Sequence, residues 1–189
     1  MFYNQNEKEA ERLEGKRKMK DIKACLSHKS DEWLTPYWLY EAIDEIYKVD
    51  VDLYANEINF LAPFYYTKEN PFDPDKHRCD RVFYANPPYS KCGEACKTAE
   101  QIALKGGTVI MLIPARTDTK YFHEIILKNY YEITPIITCF IFIKGRLKFS
   151  QAKQGAPFPS MIVIFSHPSR MEWMKRHELE RKIKEHQNL

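Results

Sequence analysis

A chain of 189 residues with 44% hydrophobic content is long enough for one compact domain with its own core and too short to add a second catalytic domain. Its formal charge of +3 and pI near 8.5 are compatible with a nucleic-acid partner without requiring one. The cysteines, at 25, 79, 92, 96 and 139, are odd in number in a chain without a secretory leader, which argues against a disulfide framework and for reduced thiols in a cytoplasm; no apolar run reaches the length of a membrane span.

Residues 1–29 are dense in charge and poor in apolar positions, as in a solvated helix or arm; contact of that arm with DNA is the lesser alternative. Over 34–47, Trp38, Leu39, Ala42, Ile43 and Ile46 recur at helical spacing, with Thr35 and Pro36 in cap and first-turn positions. A strand is expected at 49–53, then a Pro- and Asp-rich loop region through Arg81, a strand at 82–85 and a helix at about 93–104. Gly106-Gly107 turns the chain into the strongest strand, 108–113. A helix at 119–129 and strands at 136–143 and 161–165 follow. Within 170–189, Met171, Trp173, Met174, Leu179 and Ile183 give a loose helical spacing suited to packing on the core. This alternation predicts an α/β layer fold with a mostly parallel sheet and an antiparallel pair at one edge. The central domain is expected to span 30–168, preceded by the charged arm and followed by the helix at 169–189.

One segment announces chemistry. Asn86-Pro87-Pro88-Tyr89-Ser90 directly follows the apolar run Val82-Phe83-Tyr84-Ala85. Each proline fixes φ near about −65° and pushes its predecessor toward extended geometry, giving a stiff turn. Asn86 offers a side-chain carbonyl, the proline backbone a second acceptor, and Tyr89 a flat face for stacking, with core packing the alternative for that ring. Together they form a clamp for an exocyclic amine on a planar substrate. The tetrapeptide is the amino-methyltransferase signature, shared by enzymes acting on adenine N6, on some RNA bases and on protein glutamine. It specifies the reaction type better than the substrate.

Arg116, in Pro114-Ala115-Arg116-Thr117-Asp118-Thr119, follows the strongest strand and is placed at the same sheet edge as Asn86. It is either a partner for a phosphate or the Asn86 loop, or part of a surface cap with Asp118. Arg146 and Lys148, in Gly145-Arg146-Leu147-Lys148-Phe149 with Lys144 and Lys153 nearby, form a basic turn. That turn suits contact with a nucleic-acid backbone, or is a hairpin tip with solvated charges. Cys92 and Cys96 stand four apart with Cys79 nearby, but no paired C-x-x-C is present. These thiols are read as small apolar residues rather than metal ligands.

Four segments in this order carry a likeness: Ser30-Asp31-Glu32-Trp33-Leu34-Thr35-Pro36, Asp52-Leu53-Tyr54-Ala55-Asn56-Glu57, Asn86-Pro87-Pro88-Tyr89-Ser90 and Gly145-Arg146-Leu147-Lys148-Phe149. From about Asp31 to Phe165 the chain resembles the phage-type DNA N6-adenine methyltransferases of bacteriophages and prophages. The resemblance implies a Rossmann-like methyltransferase fold, S-adenosylmethionine as cofactor, no metal, and a DNA substrate in the cytoplasm of a bacterial host. The DNA is double-stranded with a flipped base, or single-stranded. Trp33, Thr35 and Pro36 then look like the segment that closes over the methionine part of the cofactor, the alternative being a helix cap with a core Trp. Asp52 through Ala55 resemble the first-strand motif beneath it, although a G-x-G is absent and Tyr54-Ala55-Asn56 stands in its place. Asn86, Pro87, Pro88 and Tyr89 are the implied catalytic residues, and Ser90, Arg116, Arg146 and Lys148 the nucleic-acid contacts. The short interval between Asp52 and Asn86 implies an abbreviated middle of the sheet. Thr67, Asn70 and Asp73 are either adenine-binding residues of the cofactor site or turn formers. An RNA base or a protein glutamine as substrate, and a silent nucleic-acid-binding module, are the alternatives.

Overall fold

A computed structural model describes residues 33–132, 134–150, 154–167 and 173–188. The readings on the 1–29 arm, Cys25, Ser30 to Glu32, Lys153, Arg170, Met171 and the side chains of Trp173 and Met174 lie outside the described residues. The elements in chain order are α1 (Tyr37–Tyr47), β1 (Val51–Asp52), β2 (Phe64–Tyr65), β3 (Val82–Ala85), a 3-10 turn (Tyr89–Lys91), α2 (Cys92–Leu104) and β4 (Thr108–Pro114). After them come a π-helical segment (Phe122–Leu127) that runs into α3 (Lys128–Tyr131), then β5 (Ile137–Phe142), β6 (Ser160–Ser166) and α4 (Trp173–Gln187).

The six strands form one sheet in the order β2-β1-β3-β4-β6-β5. The first four run parallel, and β6 lies antiparallel to both β4 and β5. This is the expected mixed α/β arrangement with its antiparallel pair at one edge. Every residue of β4 and β6 is buried, so these two strands read as continuous apolar runs rather than alternating ones. In β3 the pleat sends Phe83 toward Phe72 and Tyr84 toward Tyr40 of α1, with ring centroids 5.2 and 5.5 Å apart.

Several boundaries move for physical reasons. Helix α1 begins at Tyr37, with Pro36 as its cap residue and no side-chain cap; the Thr35 hydroxyl is engaged elsewhere. The helix ends where Lys48 takes φ 54 and donates its N–H to Asp44 O, while the Asp44 carboxylate accepts from Val49 N–H at 3.0 Å. Strand β1 stops at Asp52 because that carboxylate draws Tyr54 N–H into a turn. Strand β2 was not anticipated: it is two residues long, both exposed, with no alternation to betray it. No helix separates β1 from β3 among the described residues. Helix α4 docks on α1 as its spacing implied: Leu179 and Ile183 are buried, Lys182 pairs with Glu45 at 2.7 Å and His186 stacks on Trp38 at 4.0 Å.

The topology gathers one set of loops. The carboxyl ends of β1, β3 and β4 share an edge, and the antiparallel strands bring the end of β5 and the start of β6 to it. In open α/β sheets this is the edge at which ligands bind. No described helix is long and apolar enough to cross a membrane.

Candidate active site

Asn86 is the first residue beyond β3. Its Nδ2 donates to the Trp33 carbonyl and, at 3.0 Å, to Thr35 Oγ1. Both amide hydrogens are therefore spent on the segment before α1. Its Oδ1 is buried and has no hydrogen-bond partner in the fold. Thr35 Oγ1 lies 2.7 Å from the Tyr84 hydroxyl, in the interior. Burial drives the Tyr84 phenol well above its ordinary pKa, with the negative charge of Asp52 adding and the Thr35 bond opposing.

The prolines form a turn between β3 and α2. Pro87 is buried, and Pro88 is extended at φ −51, ψ 131. The Pro88 carbonyl accepts Lys91 N–H at 2.7 Å, turning the chain into α2. Tyr89 is 7% exposed. It meets Phe158 edge to face at 5.0 Å and Phe149 at 6.4 Å, and Trp33 lies 5.2 Å from Phe149 and 5.5 Å from Phe158. These four rings form an aromatic wall beside Asn86. Phe158 drew no attention in the sequence, yet it stands two residues before β6, at the edge that carries the carboxyl ends of β1, β3 and β4.

Asp52, 4% exposed, accepts Tyr54 N–H at Oδ1 (3.1 Å) and Leu61 N–H at Oδ2 (3.2 Å). Burial outweighs these two bonds and pushes its carboxyl up to about 6. Ala55 is buried, and its N–H reaches Tyr66 O at 3.0 Å, fastening the loop after β1 to the end of β2.

The segment after β5 alternates outward and inward: Arg146 and Lys148 are exposed, while Leu147 and Phe149 are 3% and 1% exposed. Two buried side chains thus hold two cations at the surface. Gly145 takes φ +74, a conformation side chains disfavour, and Ala156 N–H closes the loop on Leu147 O at 2.8 Å. A Cβ at Gly155 would approach Arg146 Cβ to 2.8 Å, so the two loop arms are in close contact. Ser150, which the sequence reading passed over, donates its N–H to Leu34 O at 3.1 Å and its hydroxyl to Thr35 O at 2.9 Å. The basic loop is thereby tied to the segment that holds Asn86.

Trp33, Thr35, Asn86 and Tyr89 come together with Phe149 as one cluster. Pro36 follows as the start of α1. Arg116 is exposed beyond β4, its carbonyl accepting from Thr119 Oγ1 at 2.8 Å, and Ser90 is exposed in the 3-10 turn. Both share the edge with Asn86 by topology. Thr67, Asn70 and Asp73 act as turn formers: Thr67 Oγ1 accepts Asn70 N–H, and Asp73 pairs with Lys76 and accepts Asp75 N–H. Cys92 and Cys96 are buried on α2, Cys79 is buried by Gly107, and burial raises the Cys96 thiol. Among the described residues no three His, Cys, Asp or Glu side chains group as metal ligands.

The curated proteins contain no match to this chain. The family model for DNA N-6-adenine-methyltransferase (Dam) matches residues 23–185, which take in the Trp33 segment, the Asn86 turn, the basic loop and most of α4, and the chain accordingly belongs to that family of DNA adenine N6-methyltransferases.

Proposed function

We propose that the enzyme takes its methyl group from S-adenosylmethionine and delivers it to an adenine displaced from DNA, with Asn86 holding the N6 amine. The carrying observation is the Asn86 amide: both hydrogens are consumed by the protein, and the buried Oδ1 has no partner. An unsatisfied buried acceptor costs about 1–3 kcal/mol, and an exocyclic amine bearing two hydrogens is the group that would relieve it.

Adenine N6 is a weak nucleophile because its lone pair is delocalised into the ring. With one hydrogen accepted by Asn86 Oδ1 and the other by the backbone carbonyl of Pro87, the nitrogen can pyramidalise and expose that lone pair. Positive charge developing on N6 meets acceptors already in place, and the departing proton goes to water. Bound S-adenosylmethionine supplies an electrophilic methyl group on a positively charged sulfur.

The residues at the edge suit this cofactor. Asp52 retains acceptor capacity on each oxygen beyond its bonds to Tyr54 and Leu61, matching an amino group or ribose hydroxyls. The family likeness supports Ala55 below the cofactor and Trp33 and Pro36 across it. The target nitrogen is inaccessible inside a duplex, so the base is flipped, or the substrate is single-stranded. Tyr89, held edge to face by Phe158, is the stacking partner for that base. Ser90, Arg116, Arg146 and Lys148 contact the DNA backbone. The phage-type likeness supports a reaction in the cytoplasm of a bacterial host.

Incubation with labelled S-adenosylmethionine and unmodified DNA, followed by nucleoside analysis, tests the reading. N6-methyladenine is the expected product. Label confined to RNA or to protein glutamine under the same conditions would refute it.

A further inference from the structure

The side-chain oxygen and nitrogen of an asparagine differ little in size, and rotation of the amide by half a turn exchanges an acceptor for a donor. At Asn86 that exchange would be decisive. Facing inward by Oδ1, the residue welcomes a substrate amine; facing inward by Nδ2, it would oppose one donor with another. Two protein groups meet the amide on its other side, the Trp33 carbonyl and the Thr35 hydroxyl. The carbonyl only accepts. The hydroxyl is ambivalent, because it carries one hydrogen and can meet either face of the amide. What removes the ambivalence is Tyr84, whose hydroxyl lies 2.7 Å from Thr35 Oγ1 in the buried interior. When Thr35 gives its single hydrogen to Tyr84, only lone pairs remain to face Asn86.

We propose that Thr35, backed by Tyr84, is a positioning residue that fixes the direction of the Asn86 amide and thereby sets the preference of the site for an amine over a carbonyl at position 6 of the purine. This rests on the reading of Asn86 as the acceptor for N6. It departs from a cofactor contact for Thr35, because the hydroxyl is already engaged on both sides. The same residue's carbonyl accepts from Ser150 Oγ at 2.9 Å, so the backbone that presents the hydroxyl is itself held.

The test compares the wild type with Thr35→Val, Thr35→Ser and Tyr84→Phe. Each is assayed on oligodeoxynucleotides bearing either adenine or hypoxanthine at a position the wild type methylates. Binding is measured with S-adenosylhomocysteine present, kcat and KM on the adenine substrate, and S-adenosylmethionine affinity by calorimetry. Thr35→Val is expected to lower kcat by about 10²-fold, as for loss of an oriented hydrogen-bonding group, and to reduce the binding preference for adenine over hypoxanthine about tenfold. Its affinity for S-adenosylmethionine should stay within about twofold of wild type, since only groups that touch the ligand change that term. Thr35→Ser should restore both the rate and the preference, and Tyr84→Phe should lie between.

A role in fold maintenance alone would weaken binding of both oligonucleotides together and leave their ratio unchanged; that result overturns the proposal. So does a loss of cofactor affinity in Thr35→Val that matches its loss of rate. If Thr35→Val does not fold, an unchanged ratio in Tyr84→Phe, which keeps Thr35, overturns it equally. A wild type that leaves adenine in DNA unmethylated refutes the functional reading itself and this proposal with it, whereas intact adenine methylation with any of the preceding outcomes refutes the positioning role alone.

Discussion

Replacing Asp52 with Asn should change stability in a way that depends on pH. In the folded protein burial raises the Asp52 carboxyl from the ordinary 3.8 to about 6, against two backbone N–H groups that favour the charged form. A raised pKa means that the folded state holds the proton more tightly than the unfolded one. The contribution of this group is therefore most favourable below about pH 4, is lost as pH rises toward 6, and stays lost above it. The gap corresponds to about 3 kcal/mol at 25 °C. An asparagine carries no charge to bury, but its single oxygen can serve only one of Tyr54 and Leu61, and an orphaned N–H costs about 1–3 kcal/mol at every pH. The stability of Asp52→Asn relative to wild type should accordingly rise by about 2 kcal/mol between pH 4 and pH 7, the remainder of the gap falling below pH 4, whatever its offset, because groups unaffected by the substitution cancel in the difference. Urea unfolding of both proteins at intervals across that range measures it. A difference that is flat with pH, or that falls, would refute the assignment of a buried, reluctantly ionised carboxylate. Calorimetry on the same variant should show weaker S-adenosylmethionine binding, the mark of a group retained for function at a cost in stability.

Asn86→Ala should leave cofactor affinity near wild type while lowering kcat by about 10²- to 10³-fold, as for loss of a preorganised acceptor; single-turnover methylation checks it, and near-normal turnover would remove Asn86 from the chemistry. Phe149→Ala deletes a side chain 1% exposed that touches both Trp33 and Tyr89, and should cost about 3–5 kcal/mol, a fall in Tm on the order of 10 °C by calorimetric scan. Replacing both Arg146 and Lys148 with Ala should weaken binding to all DNA sequences alike and shallow the salt dependence by about two phosphate contacts, with methylation recovering at low ionic strength. An unchanged salt slope would make them solvated loop charges, and altered site choice would make them base readers.

The sheet was legible because its central strands are long and apolar: β4 and β6 announced themselves by composition, and the antiparallel edge followed from two late strands without a helix between them. The strand expected at 49–53 is present as the shorter β1, whereas the two-residue β2 was not legible, since pairing over so short a span is decided by neighbours: Phe64 and Tyr65 are exposed and join the sheet through bonds such as Phe64 N–H to Asp50 O. The clamp at Asn86 was legible for the opposite reason, that prolines constrain the chain locally and leave their signature in four adjacent residues.

Thr35 shows why the rest of the site was hidden. A threonine before a proline at the head of an amphipathic run is an ordinary helix-start signal, and the likeness carried by its segment implies a cofactor contact rather than a hold on Asn86. Its partners are Tyr84, 49 positions away, Asn86, 51 away, and Ser150, 115 away. Local sequence reports on what a residue does to its own backbone; it is silent on hydrogen bonds that exist only once the sheet edge has assembled. The amide orientation at Asn86 belongs to this second kind. The residue that accepts the amine is readable from its neighbours in the chain, whereas the arrangement that makes it an acceptor is a property of the fold, supplied by a threonine and a tyrosine whose sequence contexts look like a cap and a core strand.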